Sequence, residues 1–140
     1  MRSFIGADVR FLVVGAYALA IHGHPRATGD LDLWIEATPE NARKTHAALR
    51  EFGAPLHDLT EKDLASPGVV FQIGVAPRRI DVLTEISGVR FADAWPRRSE
   101  GVFEGLRFPV IGRQDLLANK RAAGRSKDLL DAELLEKTRR

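Results

Sequence analysis

The chain contains no cysteine and no long apolar run. Without cysteine there are no disulfides, no thiolate metal sites and no thiol nucleophile, so oxygen or imidazole ligands must hold any metal ion. This favours magnesium or manganese over zinc. No apolar stretch approaches the roughly 18 residues of a membrane span, and the first residues lack the apolar core of a signal peptide. We therefore expect a cytoplasmic protein with no membrane partner.

Histidine pairs and aromatic clusters are also lacking. No two of the four histidines have the spacing of a zinc site, so we interpret them as packing or surface residues. The formal net charge is only +2, and its basic surplus lies late in the chain without interleaved aromatic residues. A binder of single-stranded nucleic acid needs stacking platforms beside its basic groove, so nucleic-acid binding is disfavoured as the primary role.

The length and the hydrophobic content of the chain suffice for one globular domain. A chain of 140 residues with 44% hydrophobic residues can bury a core of its own. We expect a single domain over 1–140, with its core over about 9–111 and two C-terminal helices over about 113–138.

The hydrophobic pattern predicts an alternation of strands and helices. The predicted strands cover 11–14, 30–35, 69–75 and 79–85, followed by an edge hairpin within 101–111. The predicted helices cover 16–22, 39–52, 60–65 and 112–123, with a last helix from Ser126. In that last helix the leucines are expected to form the buried side, namely Leu129, Leu130, Leu134 and Leu135.

The most informative stretch carries two aspartates on one strand. Successive side chains of a strand alternate between faces, so Asp30 and Asp32 point the same way while Leu31 and Leu33 anchor the opposite face. Such a pair can be a solvated strand edge. Two like charges about 7 Å apart are nevertheless unfavourable without a cation between them. Asp81, against an apolar backing on a later strand, is the natural third carboxylate.

Gly15 and Lys120 are two further candidate site residues. Gly15 permits a sharp turn from strand to helix and a close approach to the backbone, and the start of the following helix could receive an anion. The simpler interpretation is that this glycine only lets the chain turn.

Lys120 lies on an apolar stripe with Leu116 and Leu117. Its side chain either extends to water or reaches a buried anion.

Together these residues resemble the nucleotidyltransferase superfamily of the DNA polymerase β type. The resemblance is carried by the phrases VGAYALAIHGHPRATGDLDLW and DLLANKRAAGRSKDLLD, which are similar to the small abortive-infection (AbiEii-type) toxins. It covers about 11–135. The resemblance implies an α+β fold with a mixed β-sheet, flanking helices and C-terminal helices. It also implies that Asp30, Asp32 and Asp81 hold two Mg²⁺ or Mn²⁺ ions.

The same resemblance implies a nucleotide-binding set. Gly15 and Ala16 occupy the place of the Gly-Gly or Gly-Ser pair that holds the triphosphate. Ala16 departs from the Gly-Ser form, so triphosphate binding must rest on backbone N–H groups and other donors instead of the missing hydroxyl. Arg26 and Thr28 could orient phosphate oxygens, although a role in loop structure is equally compatible with them. Lys120 matches a lysine that would contact the phosphates or the base.

Three functional hypotheses follow. The first is a metal-dependent nucleotidyltransferase that moves NMP from an NTP to a hydroxyl of an RNA end, a protein or a small molecule. In it, Asp81 would also accept the proton of that hydroxyl. The acceptor would bind at the sheet rim, across a homodimer or with a partner protein. The second is an inactive nucleotide-binding or partner-binding module of the same fold, for example in a toxin–antitoxin pair. The third is direct nucleic-acid binding.

Overall fold

The computed structural model describes residues 1–25, 29–75 and 79–137 of the chain. The helices are α1 (Arg2–Gly6), α2 (Gly15–Ile21), α3 (Pro39–Phe52), α4 (Glu61–Leu64), α5 (Phe91–Ala94), α6 (Arg113–Ala123) and α7 (Ser126–Lys137), and a 3₁₀ turn covers Trp95–Arg97. The strands are β1 (Phe11–Val14), β2 (Leu31–Ile35), β3 (Val70–Ile73), β4 (Ile80–Leu83), β5 (Ser99–Phe103) and β6 (Leu106–Val110).

The six strands form one mixed sheet in the order β3-β4-β2-β1-β6-β5. Strand β1 runs antiparallel to β2 and parallel to β6, and β2 runs parallel to β4. The hairpins β3–β4 and β5–β6 close the two edges. The predicted α+β fold with a mixed sheet and flanking helices is thereby confirmed, and so is the edge hairpin.

Strand β1 lies inside the sheet and within the hydrophobic core. All four of its residues are buried, as expected for a strand that is covered on both faces. Beside it, Trp34 packs edge-on against Phe91 at 5.0 Å between ring centroids. The largest fully buried side chains come from β1, β2, the flanking helices and the residue after β6, namely Trp34, Phe11, Leu12, Leu19, Ile35, Leu49, Leu64, Ile111, Leu116 and Leu135.

Helix α3 begins and ends where the sequence predicts. The Thr38 hydroxyl accepts a hydrogen bond from the backbone N–H of Asn41, and Pro39 occupies the first turn, where its missing N–H is not needed. Gly53 ends the helix in the left-handed conformation, with φ +91°. The short helix predicted within 60–65 is α4, and Thr60 caps it.

The predicted buried side of α7 is wrong for three of its four leucines. Leu135 is fully buried, but Leu129, Leu130 and Leu134 are exposed. The helix instead turns Asp128 and Asp131 inward together with Ala132. The physical reason is a cation on α6, described below, that gives these two carboxylates a partner in the interior. Among the described residues, no helix is long and apolar enough to cross a membrane.

Candidate active site

The parallel pairing of β2 and β4 brings two aspartates side by side. Asp32 is the register partner of Asp81, and on its other side it pairs with Val14, the last residue of β1. Neighbouring strands lie about 4.8 Å apart, so both carboxylates emerge at the same end of the sheet. Asp30 lies one residue before β2 begins. The three predicted carboxylates therefore cluster where β1 ends and where β2 and β4 begin.

Gly15 allows this cluster to lie close to the backbone. It has φ +70°, and a Cβ atom built on it would overlap the carboxylate oxygen Oδ2 of Asp32. Only glycine satisfies both conditions at low cost. Gly15 is thus more than a turn residue, because it forms the surface against which Asp32 packs.

Arg79, which sequence reasoning missed, binds two of the three carboxylates. Its Nη2 lies 3.1 Å from Asp30 Oδ2, and its Nε lies 3.1 Å from Asp81 Oδ1. Nη2 also donates a hydrogen bond of 3.3 Å to Asp81 Oδ2. The signal was available, because residues two apart near a strand share a face and Arg79 stands two before Asp81.

The pKa of Asp32 reflects its burial first and the neighbouring negative charges second. Burial raises its pKa to about 6, and the neighbouring carboxylates of Asp81 and Asp30 act in the same direction. Arg79 and Lys120 oppose the shift but do not cancel it. A further cation at this point would favour the charged form of Asp32.

The side chain of Lys120 reaches buried carboxylates, which is one of the two alternatives predicted for it. Its Nζ lies 3.2 Å from Asp131 Oδ2 and 3.6 Å from Asp128 Oδ1, and the lysine side chain is only 9% exposed. Asp128 also accepts a 2.6 Å hydrogen bond from Arg125 Nε, which holds the pKa of Asp128 below its usual range. Asp131 was not predicted, although it lies three residues after Asp128 and so on the same helical face.

A cleft of about 250 Å³ joins the two charged groups. Five of the predicted site residues line it, namely Gly15, Ala16, Asp30, Asp32 and Lys120. Asp81 is buried beneath Arg79 and does not line the cleft. The predicted phosphate-contacting residues Arg26 and Thr28 lie outside the described residues.

The turn after β4 forms one wall of this cleft. Asn119 of α6 donates a 2.9 Å hydrogen bond to the carbonyl oxygen of Ser87. Gly88 has φ +75°, and a Cβ atom there would overlap Ala122 of α6. The close approach of this turn to α6 fixes Lys120 opposite the carboxylates.

A larger cleft, of about 580 Å³, lies elsewhere in the molecule. It is lined by residues around Trp95 and Pro109 and contains none of the predicted site residues. The charged residues that line it are Asp8, Arg98, Glu100 and Arg107. The smaller cleft is the one in which the predicted residues Asp30, Asp32 and Lys120 come together.

The donor chemistry of the carboxylate cluster fits magnesium or manganese, which prefer carboxylate oxygens. Within 1–25, 29–75 and 79–137, no group of three His, Cys, Asp or Glu residues is arranged to hold a metal ion. The guanidinium of Arg79 contacts both Asp30 and Asp81.

No protein-family model and no curated protein sequence matches the chain. Solved structures of similar fold do exist. The lincosamide antibiotic adenylyltransferase LnuA, bound to lincomycin, is 14% identical with a TM-score of 0.59, and the match covers 97% of this chain and 91% of LnuA. The antibiotic-resistance factor ANT(2'')-Ia is 13% identical with a TM-score of 0.65, covering 98% of this chain and 78% of that protein.

A third similar structure is TM1012 from Thermotoga maritima, which carries the name of a nucleotidyltransferase. It is 14% identical with a TM-score of 0.57, and the match covers 97% of this chain and 85% of that one. At such low identity the likeness concerns the fold. The chain therefore has the fold of these nucleotidyltransferases over nearly its whole length.

Proposed function

We propose that the protein is a metal-dependent nucleotidyltransferase, which transfers NMP from an NTP to an acceptor hydroxyl and releases pyrophosphate. One observation carries the proposal: the parallel register of Asp32 and Asp81 places their carboxylates side by side where Gly15 leaves room for them. A structural role alone does not require like charges to gather at one end of a sheet.

Asp30, Asp32 and Asp81 would hold Mg²⁺ or Mn²⁺. When bound, such ions neutralise the charge that develops on the transferring phosphoryl group. In the transfer, the acceptor oxygen bonds to the α-phosphorus, and the bond from this phosphorus to the bridging oxygen of pyrophosphate breaks. The proton of the acceptor hydroxyl passes to Asp81, the role that we assign to it as general base.

The chain's own residues would position the nucleotide around this cluster. Gly15 and Ala16 would offer backbone N–H groups to the triphosphate, and Lys120 would contribute positive charge from the opposite wall of the cleft. The contacts of Lys120 with Asp128 and Asp131 fix the direction of its side chain, and the two carboxylates share its charge. Arg26 and Thr28 stay predictions as phosphate contacts.

A small molecule that carries a hydroxyl group is the first acceptor to test. LnuA and ANT(2'')-Ia are named for antibiotics, and each match covers at least 97% of this chain. A fold by itself does not fix a substrate, so an RNA end and a protein hydroxyl belong in the same assay. The likeness to AbiEii-type toxins and the use of a homodimer or partner protein stay predictions.

A second candidate is a non-catalytic nucleotide-binding or partner-binding module. Two observations favour it: Ala16 offers no hydroxyl at the phosphate turn, and Arg79 already neutralises Asp30 and Asp81. A module of this kind needs no divalent ion at the carboxylate cluster.

Calorimetry with each NTP, in the presence of millimolar Mg²⁺ and in EDTA, distinguishes the two candidates. The enzyme is expected to bind NTP tightly only with Mg²⁺ and to lose this binding in Asp32→Asn. The matched control is Asp58→Asn, which changes an exposed carboxylate outside the cleft. NTP binding that is absent, or that is equal with and without Mg²⁺, contradicts the proposed enzyme.

A further inference from the structure

We propose that Arg79 is an internal counter-cation of the carboxylate cluster, which competes with the divalent ion and must release Asp81 before the metal can bind. The inference rests on the proposed function, because it takes Asp30, Asp32 and Asp81 as ligands of that ion. It adds a specific role for a residue that the proposed mechanism does not use.

The contacts of Arg79 involve the oxygen atoms that a metal would need. Nε approaches Oδ1 of Asp81, and Nη2 approaches Oδ2 of the same carboxylate. The contact with Oδ2 is a hydrogen bond, whereas the approach of Nε to Oδ1 is an ion-pair contact without hydrogen-bond geometry. The same Nη2 donates to Asp30 Oδ2 at 3.1 Å. A cation that coordinates Asp81 therefore competes with the guanidinium of Arg79 for the same carboxylate.

The charge balance favours such an exchange. Three carboxylates gather at the cluster, and the two cations that act on Asp32 are Arg79 and Lys120. Lys120 already has two buried partners of its own, Asp128 and Asp131. Arg79 thus supplies a single positive charge where a divalent ion would supply two, and carboxylate oxygens prefer the ion of higher charge density.

The geometry also permits Arg79 to leave. Its side chain is 34% exposed, so the guanidinium lies at the rim of the cluster rather than in the core. Its backbone is anchored separately, because the carbonyl oxygen of Arg79 accepts a 2.9 Å hydrogen bond from Leu31 N–H. The side chain can therefore turn outward while the pairing of β2 and β4 stays intact.

This arrangement differs from the ion pairs that hold α7. Asp128 and Asp131 are each 1% exposed and lie beneath their cations. Asp30 is 40% exposed, so water can replace the guanidinium at that carboxylate. The ion pair of Arg79 with Asp30 is consequently exchangeable, whereas those of Lys120 are part of the buried structure. The pair of Arg79 with Asp81, whose side chain is 11% exposed, lies between these two cases.

The test measures Mn²⁺ binding to the full chain without nucleotide, by calorimetry and by the electron paramagnetic resonance of free Mn²⁺. Arg79→Met removes the charge and keeps most of the side-chain length. We expect it to bind Mn²⁺ about tenfold more tightly than the wild type, because the competing cation is gone. The control is Arg90→Met, which removes an exposed arginine that pairs with Asp93 and should leave Mn²⁺ affinity unchanged.

Two further measurements keep the inference testable if Arg79→Met fails to fold. Arg79→Lys retains the charge but cannot engage both oxygens of Asp81 in the same way, so its Mn²⁺ affinity should lie between those of the wild type and Arg79→Met. In the wild type, Mg²⁺ should move the NMR signal of the Arg79 Nε–H group toward that of a solvated arginine. A signal that stays in place while Mg²⁺ binds overturns the inference.

The outcomes separate this inference from the proposed function. Equal or weaker Mn²⁺ binding in Arg79→Met, beside a wild type that binds the ion, overturns the role of Arg79 and leaves the enzyme standing. Tighter Mn²⁺ binding in a protein that transfers no nucleotide supports the role of Arg79 and contradicts the enzyme. Absence of Mn²⁺ binding in both proteins overturns the two proposals together.

Discussion

Gly15 and Asp32 are in direct contact across the turn from β1 to α2: the position that a Cβ atom would take on Gly15 is filled by Oδ2 of Asp32. The left-handed backbone conformation of Gly15 therefore goes together with the position of the Asp32 carboxylate. Any side chain at position 15 must displace the carboxylate that pairs in register with Asp81.

We predict that Gly15→Ala destabilises the protein and displaces Asp32. The left-handed conformation costs alanine about 1 kcal/mol, and the overlap with Asp32 adds to this cost. Gly105→Ala separates the two effects, since Gly105 also has positive φ, at +79°, but nothing lies near its Cβ position. Urea unfolding should show a clearly larger loss for Gly15→Ala, and equal losses would contradict the contact with Asp32.

Stability should depend on pH through Asp32. Its pKa is about 6 in the folded protein and about 3.8 in the ordinary exposed state, so the folded state holds this proton more tightly. The contribution is complete below about pH 3.8 and is lost as pH rises through about 6. In EDTA at pH 7.5, Asp32→Asn should therefore raise the free energy of unfolding by on the order of 1 kcal/mol, after allowance for solvent screening.

The gain from Asp32→Asn should vanish near pH 3, about one unit below the lower pKa, where both states carry the proton. The control Asp58→Asn changes an exposed carboxylate and should shift stability by less than about 0.5 kcal/mol at either pH. Denaturant unfolding at the two pH values checks both statements. A loss of stability in Asp32→Asn at pH 7.5 would show that Asp32 is well paired without a metal.

Lys120→Met should be strongly destabilising. The substitution leaves Asp131 buried without its lysine, and breaking a buried ion pair from one side costs on the order of 3 kcal/mol. Asp128 keeps Arg125 as its partner. The double variant with Asp131→Asn should recover part of this loss, as measured in a double-mutant cycle.

The control for Lys120→Met is Lys62→Met, an exposed position on α4 that should change little. If the double variant were no more stable than Lys120→Met, the lysine would not be held by Asp131.

Much of the fold could be predicted because strands and helices leave strong local signals. The alternation of Asp30, Leu31, Asp32 and Leu33 predicted β2, and a capped amphipathic pattern predicted α3. The sequence alone could not predict that the carboxylates of Asp32 and Asp81 lie side by side. Their proximity depends on the parallel register between β2 and β4, which no local sequence pattern contains.

The two failures have a common cause. Hydrophobicity predicted that Leu129, Leu130 and Leu134 would face inward, but ion pairs with Lys120 turned the acidic face of α7 to the interior. Arg79 was overlooked because its partner Asp30 lies 49 positions away in sequence. Strand periodicity places Arg79 on the same face as Asp81, but the pairing with Asp30 is set by the tertiary fold and cannot be read from periodicity.

The corrected orientation of α7 makes its own prediction. Leu135→Ala should cost about 2–5 kcal/mol, because the side chain is fully buried and its loss leaves a cavity. Leu130→Ala removes a side chain that is 61% exposed and should cost less than about 0.5 kcal/mol. Thermal unfolding of the two variants checks the assignment, and the reverse ranking would restore the orientation that hydrophobicity predicted.

The most direct test of the central claim is transfer of label from α-labelled NTPs, one at a time, with Mg²⁺ or Mn²⁺ and with hydroxyl-bearing small molecules, RNA or protein as acceptors. The wild type should form a labelled product only with metal. Asp81→Ala should lower the rate at least about 100-fold. Full transfer by the double variant Asp30→Ala and Asp32→Ala would contradict the claim that this carboxylate cluster performs the chemistry.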